Sequence, residues 1–240
     1  IIYFGDTAHL PYGDKSPELI RQYSENIANF LLESGVKAIV IACNTASAVA
    51  REAVERRAGR IPVFNVVDPA VQLALRMSSR NQIGIIGTKT TIRSGIYRRT
   101  ILQQSPNATV VEKATPLLVP IIEEGWHDNS ISREVIEAYM SDTGFMSIDS
   151  LILGCTHYPL IKEAIGEYFM RNYNHSVEVI DSSQAVAQEI HRRLAAVDML
   201  NTANDTATEA QHAFYVSDFS QNFLSAAELF LQQPVTFEKV

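Results

Sequence analysis

Cys43 and Cys155 are the only thiols in this chain of 240 residues, and they sit in matching surroundings. Ile39-Val-Ile-Ala-Cys43-Asn-Thr-Ala46 and Leu151-Ile-Leu-Gly-Cys155-Thr-His-Tyr158 share one design. Each reads as a buried apolar run, a small residue, the cysteine, and then polar residues suited to capping a helix. A thiol at a strand end beside a helix N-terminus faces unpaired N–H groups and the positive end of the helix dipole. Together these are expected to lower a cysteine pKa from about 8.5 toward neutrality. One such thiol suggests a nucleophile. Two, from pseudo-equivalent α/β units facing one cleft, suggest a shared acid/base role. One thiolate takes a proton from carbon while the opposite thiol delivers one to the other face. That two-base inversion needs no cofactor in principle. Cysteines are also often plain buried hydrophobes, but the symmetric context of this pair favours function.

The neighbouring residues suit an acidic, zwitterionic ligand. Asn44, Thr45 and Thr156 offer side-chain and backbone donors at helix starts, which serve a carboxylate or simply cap the helix. His157, two residues beyond Cys155, is placed to tune or protonate that thiol. The other histidines (His9, His127, His175, His191, His212) show no metal-ligand spacing, and neither cysteine lies in a zinc pattern, so no metal is expected. Thr88 and Thr91 follow a strand whose Gly84-Ile-Ile-Gly87 lacks the full dinucleotide fingerprint and is no Walker motif. They contact a carboxylate or cap the helix beginning near Ser94. Tyr12 and Gly13 belong to a Pro-Tyr-Gly turn whose backbone can approach a ligand. Glu123 and Glu124 either orient a histidine or form a surface acidic pair.

These residues need a scaffold, and the periodicity supplies one. Strands are expected at 1–4, 38–42, 61–67, 82–86, 109–112, 151–153, 177–180 and 212–216. Helices are expected from Ser16-Pro17 to Gly35, then at 44–58 with Gly59 as the stop, 94–104, 131–139, 159–172, 183–200 and 221–232. Residues 201–211 read as an exposed loop. Strands alternating with helices imply an α/β fold with mostly parallel sheets, in which ligands bind beyond the carboxyl ends of the strands. The length fits one large domain or two lobes. Twenty basic against twenty-seven acidic residues give −7 with no basic block, so neither nucleic acid nor an anionic membrane is an expected partner. The longest apolar stretches fall far short of the roughly 20 residues of a membrane span. A soluble globular protein is expected, and two thiols without a disulfide framework fit a reducing compartment.

Three long motifs carry a family likeness: Tyr3-Phe-Gly-Asp-Thr-Ala-His-Leu-Pro-Tyr-Gly13, Ala42-Cys-Asn-Thr-Ala-Ser47 and Leu153-Gly-Cys-Thr-His-Tyr-Pro-Leu160. With Pro116-Leu-Leu-Val-Pro-Ile-Ile-Glu-Glu-Gly125 and Phe214-Tyr-Val-Ser-Asp218, the chain resembles, over essentially its whole length, the glutamate racemases of the cofactor-independent aspartate/glutamate racemase superfamily. The resemblance implies two pseudo-symmetric α/β lobes, residues 1–66 plus 177–240 and residues 67–176, with the active site between them. It implies interconversion of L- and D-glutamate without pyridoxal phosphate or metal, feeding peptidoglycan synthesis in a bacterial cytoplasm, and a homodimer as a plausible assembly. By the same likeness Cys43 and Cys155 are the acid/base thiols, His157 assists Cys155, and Glu124, in preference to Glu123, sits behind it. Tyr12, Gly13, Asn44, Thr45, Thr156, His157, Thr88 and Thr91 would bind substrate.

The family's first strand ends in Asp-Ser-Gly-x-Gly-Gly, with an aspartate assisting the first thiol and a serine touching substrate, and nothing like it precedes Ile1. A chain physically starting at Ile1 is expected to be poorly stable, with the Cys43 half-reaction hit hardest. Asp68 stands where glutamate is more usual, a mild change. Three alternatives stay open: an aspartate racemase or other superfamily member, a catalytically silent protein holding an acidic metabolite, and a thiol redox switch. The last requires the two cysteines within disulfide reach, roughly 4.4–6.8 Å between Cα atoms.

Overall fold

The computed structural model describes residues 1–201, 212–219 and 235–240, together with Phe223 and Ala227. The chain opens with β1 (Ile2–Gly5), α1 (Pro17–Glu33), β2 (Ile39–Ile41), α2 (Asn44–Val49), α3 (Arg51–Ala58) and β3 (Val63–Asn65). It continues through α4 (Val67–Met77), β4 (Gln82–Gly87), α5 (Lys89–Ser94), α6 (Ile96–Gln104), β5 (Thr109–Ala114), α7 (Leu118–Glu123) and α8 (Ser130–Met140). Then come β6 (Ser150–Gly154), α9 (Lys162–Tyr173), β7 (Glu178–Ile180), α10 (Ser183–Ala196), β8 (Ala213–Val216) and β9 (Glu238–Lys239). Among the described residues three sheets result, in the orders β1-β8-β9, β2-β3 and β5-β4-β6-β7, and each strand pairing in them is parallel. This is the expected α/β class.

Parallel strands covered on both faces read as unbroken apolar runs, and β4 and β6 show how the two faces separate. Ile83, Ile85 and Ile152 enter one core with Val71, Tyr97 and Ile101 of α4 and α6. Ile86, Leu151 and Leu153 enter another with Phe145, Ile165 and Phe169. The period-two alternation of the backbone therefore divides a wholly hydrophobic run between two helix layers. A third core packs Ile20 and Ala28 of α1 and Val54 of α3 onto Ile39 and Ile41 of β2. α1 starts as its sequence predicts: Ser16 Oγ accepts the Leu19 N–H at 3.3 Å and Pro17 occupies the first turn.

Several elements depart from the sequence-based expectation. The helix expected at 44–58 breaks at Ala50, whose φ of −116° and ψ of −5° separate α2 from α3. The helix expected from Ser94 begins earlier, with Thr88 as N-cap of α5, and is interrupted by left-handed Gly95 before α6. The strand expected at 61–67 ends at Asn65, because Asn65 Oδ1 accepts the N–H groups of Val67 and Asp68 and starts α4. Pro69 then falls in the first helical turn, where its missing N–H costs nothing. β7 pairs with β6 from Ser150–Glu178 to Ile152–Ile180. Residues 178–180 thus belong to the four-stranded sheet, whereas the lobe boundary at 177 assigned them to the other lobe. A β-α-β crossover through α9 naturally returns the chain beside the strand it left. The expected loop at 201–211 and most of the expected helix at 221–232 lie outside the described residues.

Register brings the site's strand ends level. Gly87 of β4 is paired with Ala114 of β5 on one side and Gly154 of β6 on the other, so Thr88, Thr115 and Cys155 emerge abreast. Gly154 is required for this approach: a Cβ there would lie 2.6 Å from the Ile86 carbonyl oxygen.

Candidate active site

Cys43 is the half-buried N-cap of α2, and its Sγ accepts the Ala46 N–H at 3.5 Å. Burial nevertheless pushes this thiol's pKa up, against the pull of the Ala46 and Thr45 N–H groups and the Thr45 hydroxyl, and the charge of Cys155 raises it further. The expectation of a lowered value is therefore corrected for Cys43: desolvation of a thiolate outweighs a few weak N–H···S bonds. The coupling has its own consequence. Two thiolates here would repel one another, so ionisation of both at once is disfavoured, as proton transfer to and from opposite faces requires. Both thiols are free.

Cys155 follows β6 directly and is 8% exposed. Its successor segment is not a helix N-terminus of the Cys43 kind, since a short 3-10 turn at Tyr158–Ile161 precedes α9. Here a side chain takes over the role of the helix: His157 Nδ1 lies 3.7 Å from Cys155 Sγ. On its far side His157 Nε2 meets Glu123 Oε1 at 3.1 Å. The carboxylate behind the imidazole is thus Glu123 and not Glu124. Consecutive residues point about 100° apart at the end of α7, and Glu124 is turned to solvent. Burial pulls the His157 pKa down, but hydrogen bonds to Cys155 and Glu123 and their charges outweigh it and lift the value to about 10. At neutral pH His157 is an imidazolium holding a proton beside Cys155.

Several of the remaining candidates gather around Thr45, two residues past Cys43. Thr45, Thr88 and Thr91 form a closed triangle of hydroxyls, at 3.0 Å, 3.2 Å and 2.9 Å, between α2 and the start of α5. Gly13 lies against them; a Cβ at that position would come within 2.7 Å of Thr88 Cβ, so only glycine lets the turn in. Thr90 Oγ1 donates to the Gly13 carbonyl at 2.9 Å and holds the turn in place. Tyr12 donates to Asp6 Oδ2 at 2.5 Å, and Asp6 Oδ1 also meets His9 Nδ1 at 2.7 Å and the Ser217 hydroxyl at 2.9 Å. Asn44 is buried and its Oδ1 accepts the Tyr97 hydroxyl at 2.5 Å. Thr156 is exposed and joins none of these bonds.

Four partners escaped the sequence reading. Asp6 had a weak signal, an acid just past a strand. Ser217 lies within the Phe214–Asp218 motif without an individual role there, and Tyr97 and Thr115 had no signal, because each acts through a contact with a residue distant in sequence. Thr115 and Tyr158, for example, join hydroxyls at 2.7 Å beside Cys155.

A profile of the Asp/Glu/Hydantoin racemase family matches residues 1–190. The chain belongs to that family. This racemase is 43% identical over 231 residues to a glutamate racemase of Neisseria meningitidis serogroup C, covering 96% of the chain and 83% of the relative. It is 42% identical over 235 residues to that of Aquifex aeolicus, with 98% and 85% covered. The structure of glutamate racemase from Francisella tularensis in complex with D-glutamate superimposes with a TM-score of 0.90 at 38% identity, covering all of this chain and 87% of that one. An aspartate racemase from Picrophilus torridus shares the fold alone, at 24% identity and a TM-score of 0.52 over 73% of the chain. Among the described residues no helix is long and apolar enough to cross a membrane.

Proposed function

We propose that this racemase interconverts L- and D-glutamate by a two-base mechanism in which Cys43 and Cys155 face opposite sides of the substrate Cα. The observation that carries the reading is the pair of free, electrostatically coupled thiols at the carboxyl ends of β2 and β6. The near-full-length similarity to glutamate racemases, one of them holding D-glutamate, supports glutamate as the substrate.

In each direction one thiolate takes the Cα proton and becomes a thiol, while the electron pair left on Cα delocalises into the α-carboxylate. The opposite thiol gives its proton to the other face and becomes the thiolate. Protons balance, and the enzyme ends with its two thiols exchanged in state. His157 holds a proton for Cys155, and Glu123 keeps the imidazole charged and oriented. The donors of Asn44, Thr45 and Thr156, the Thr88 and Thr91 hydroxyls, and the Tyr12–Gly13 turn bind the carboxylates and the amine. D-glutamate so produced serves peptidoglycan synthesis in a bacterial cytoplasm.

The test is exchange of the Cα hydrogen of L- and D-glutamate in deuterium oxide, followed by NMR with optical purity, without added cofactor. Exchange from both enantiomers with loss of optical purity is expected. Inversion of aspartate but not glutamate would refute the substrate, and exchange that survives replacement of both cysteines by serine would refute the mechanism.

A further inference from the structure

One buried side chain touches the neighbours of both thiols. Tyr97 is 1% exposed and projects from the first turn of α6. Its ring lies against Gly154, where a Cβ would sit 3.4 Å from Tyr97 Cε2, immediately before Cys155. Its hydroxyl reaches Asn44 Oδ1, immediately after Cys43. The phenol feels the charge of both cysteines, and burial, foremost, with these charges pushes its pKa far up. It therefore stays protonated and donates.

In this bond Asn44 Oδ1 is the atom on the phenol side of the carboxamide. With Oδ1 taken by Tyr97, Nδ2 must face away from α6, and it has no hydrogen-bond partner among the described residues. The fully covered side-chain polar atoms left without a partner among the described residues are His127 Nδ1 and Ser150 Oγ. Asn44 Nδ2 is not one of them, so it keeps an opening to the outside although the residue is 3% exposed. A buried asparagine with a locked acceptor and an open donor is built to receive an anion.

We infer that Tyr97 is a positioning residue, which locks the Asn44 carboxamide so that its N–H2 meets the substrate α-carboxylate and holds the Cys43 and Cys155 motifs in register. The inference rests on the proposed binding of glutamate between the two thiols. Without the phenol, the carboxamide is free to rotate by half a turn and offer its oxygen to the carboxylate.

The experiment is a double-mutant cycle with Tyr97→Phe and Asn44→Ala, reading kcat and KM for both enantiomers. Tyr97→Phe keeps the ring on Gly154 and is expected to raise KM about tenfold, the loss of one well-placed hydrogen bond, with kcat changed less than about threefold. In the Asn44→Ala background it is expected to add nothing. A KM unchanged by Tyr97→Phe, or effects that simply multiply, overturns the inference. Asn44→Asp is the second variant: it retains an acceptor for Tyr97 but replaces the N–H2, so binding is expected to collapse while the thermal midpoint holds. Unimpaired binding in Asn44→Asp refutes the proposed orientation. Wild-type protein that turns over no glutamate brings down the function reading, and this inference with it; wild-type turnover with an indifferent Tyr97→Phe brings down this inference alone.

Discussion

Replacing Glu123 by glutamine removes one charge behind His157 while preserving length and hydrogen-bonding capacity. The contact is 3.1 Å long, between side chains that are 25% and 36% exposed, so water screens part of it. A charge-assisted hydrogen bond contributes about 1.5–3 kcal/mol when well covered and an exposed ion pair about 0–1. An intermediate value of about 1.4 kcal/mol corresponds to one pH unit. Glu123→Gln is therefore expected to lower the His157 midpoint from about 10 by roughly one pH unit. Glu124→Gln is expected to leave it in place. NMR titration of ring-labelled histidine reads this directly, with His157→Asn identifying the signal among six histidines. Stability carries the same signature. Because the folded value lies above the ordinary 6.5, the stabilisation is complete below that pH and is lost as pH rises toward 10. In Glu123→Gln the loss is expected to be smaller and to finish at lower pH. An unmoved midpoint in Glu123→Gln, or an equal drop in Glu124→Gln, would refute the assignment.

The thiol coupling predicts that Cys155→Ser lowers the Cys43 pKa by removing a like charge. Alkylation of Cys43, mapped by mass spectrometry across pH, should shift to lower pH, and an unshifted profile would remove the electrostatic argument for one thiolate at a time. Thr45→Val takes away a hydroxyl bonded to Cys43 and to two threonines, so the same alkylation profile should move to higher pH. Gly154→Ala forces a methyl group to within 2.6 Å of a backbone oxygen; urea unfolding should show a loss of about 1–3 kcal/mol, typical of overpacking.

Much of this molecule was legible in its residue types. Apolar runs punctuated by helix stripes announced parallel α/β units, because strands buried on both faces must be apolar throughout. The polar residues after Cys43 marked a helix start, a local property. The threonines at 88 and 91 and the glycine at 13 were singled out as candidates with local alternatives, and only their convergence on Thr45 joins them into one cluster. What the chain alone could not reveal depends on facing and burial. Glu123 and Glu124 are chemically identical neighbours, and the packing of α7 decides which one meets His157. Residue type places a helix N-terminus at Cys43, but only the surrounding protein sets the desolvation that raises its pKa. Strand type likewise says nothing of sheet membership, which for β7 follows from the crossover through α9. Tyr97 had no local signal, since its role exists only where α6 brings it between Gly154 and Asn44. The elements and the chemical repertoire are thus written in the residues, because hydrogen-bonding groups and periodicity act over a few positions. Which members of that repertoire meet is a matter of packing, because distance, burial and orientation belong to elements assembled together.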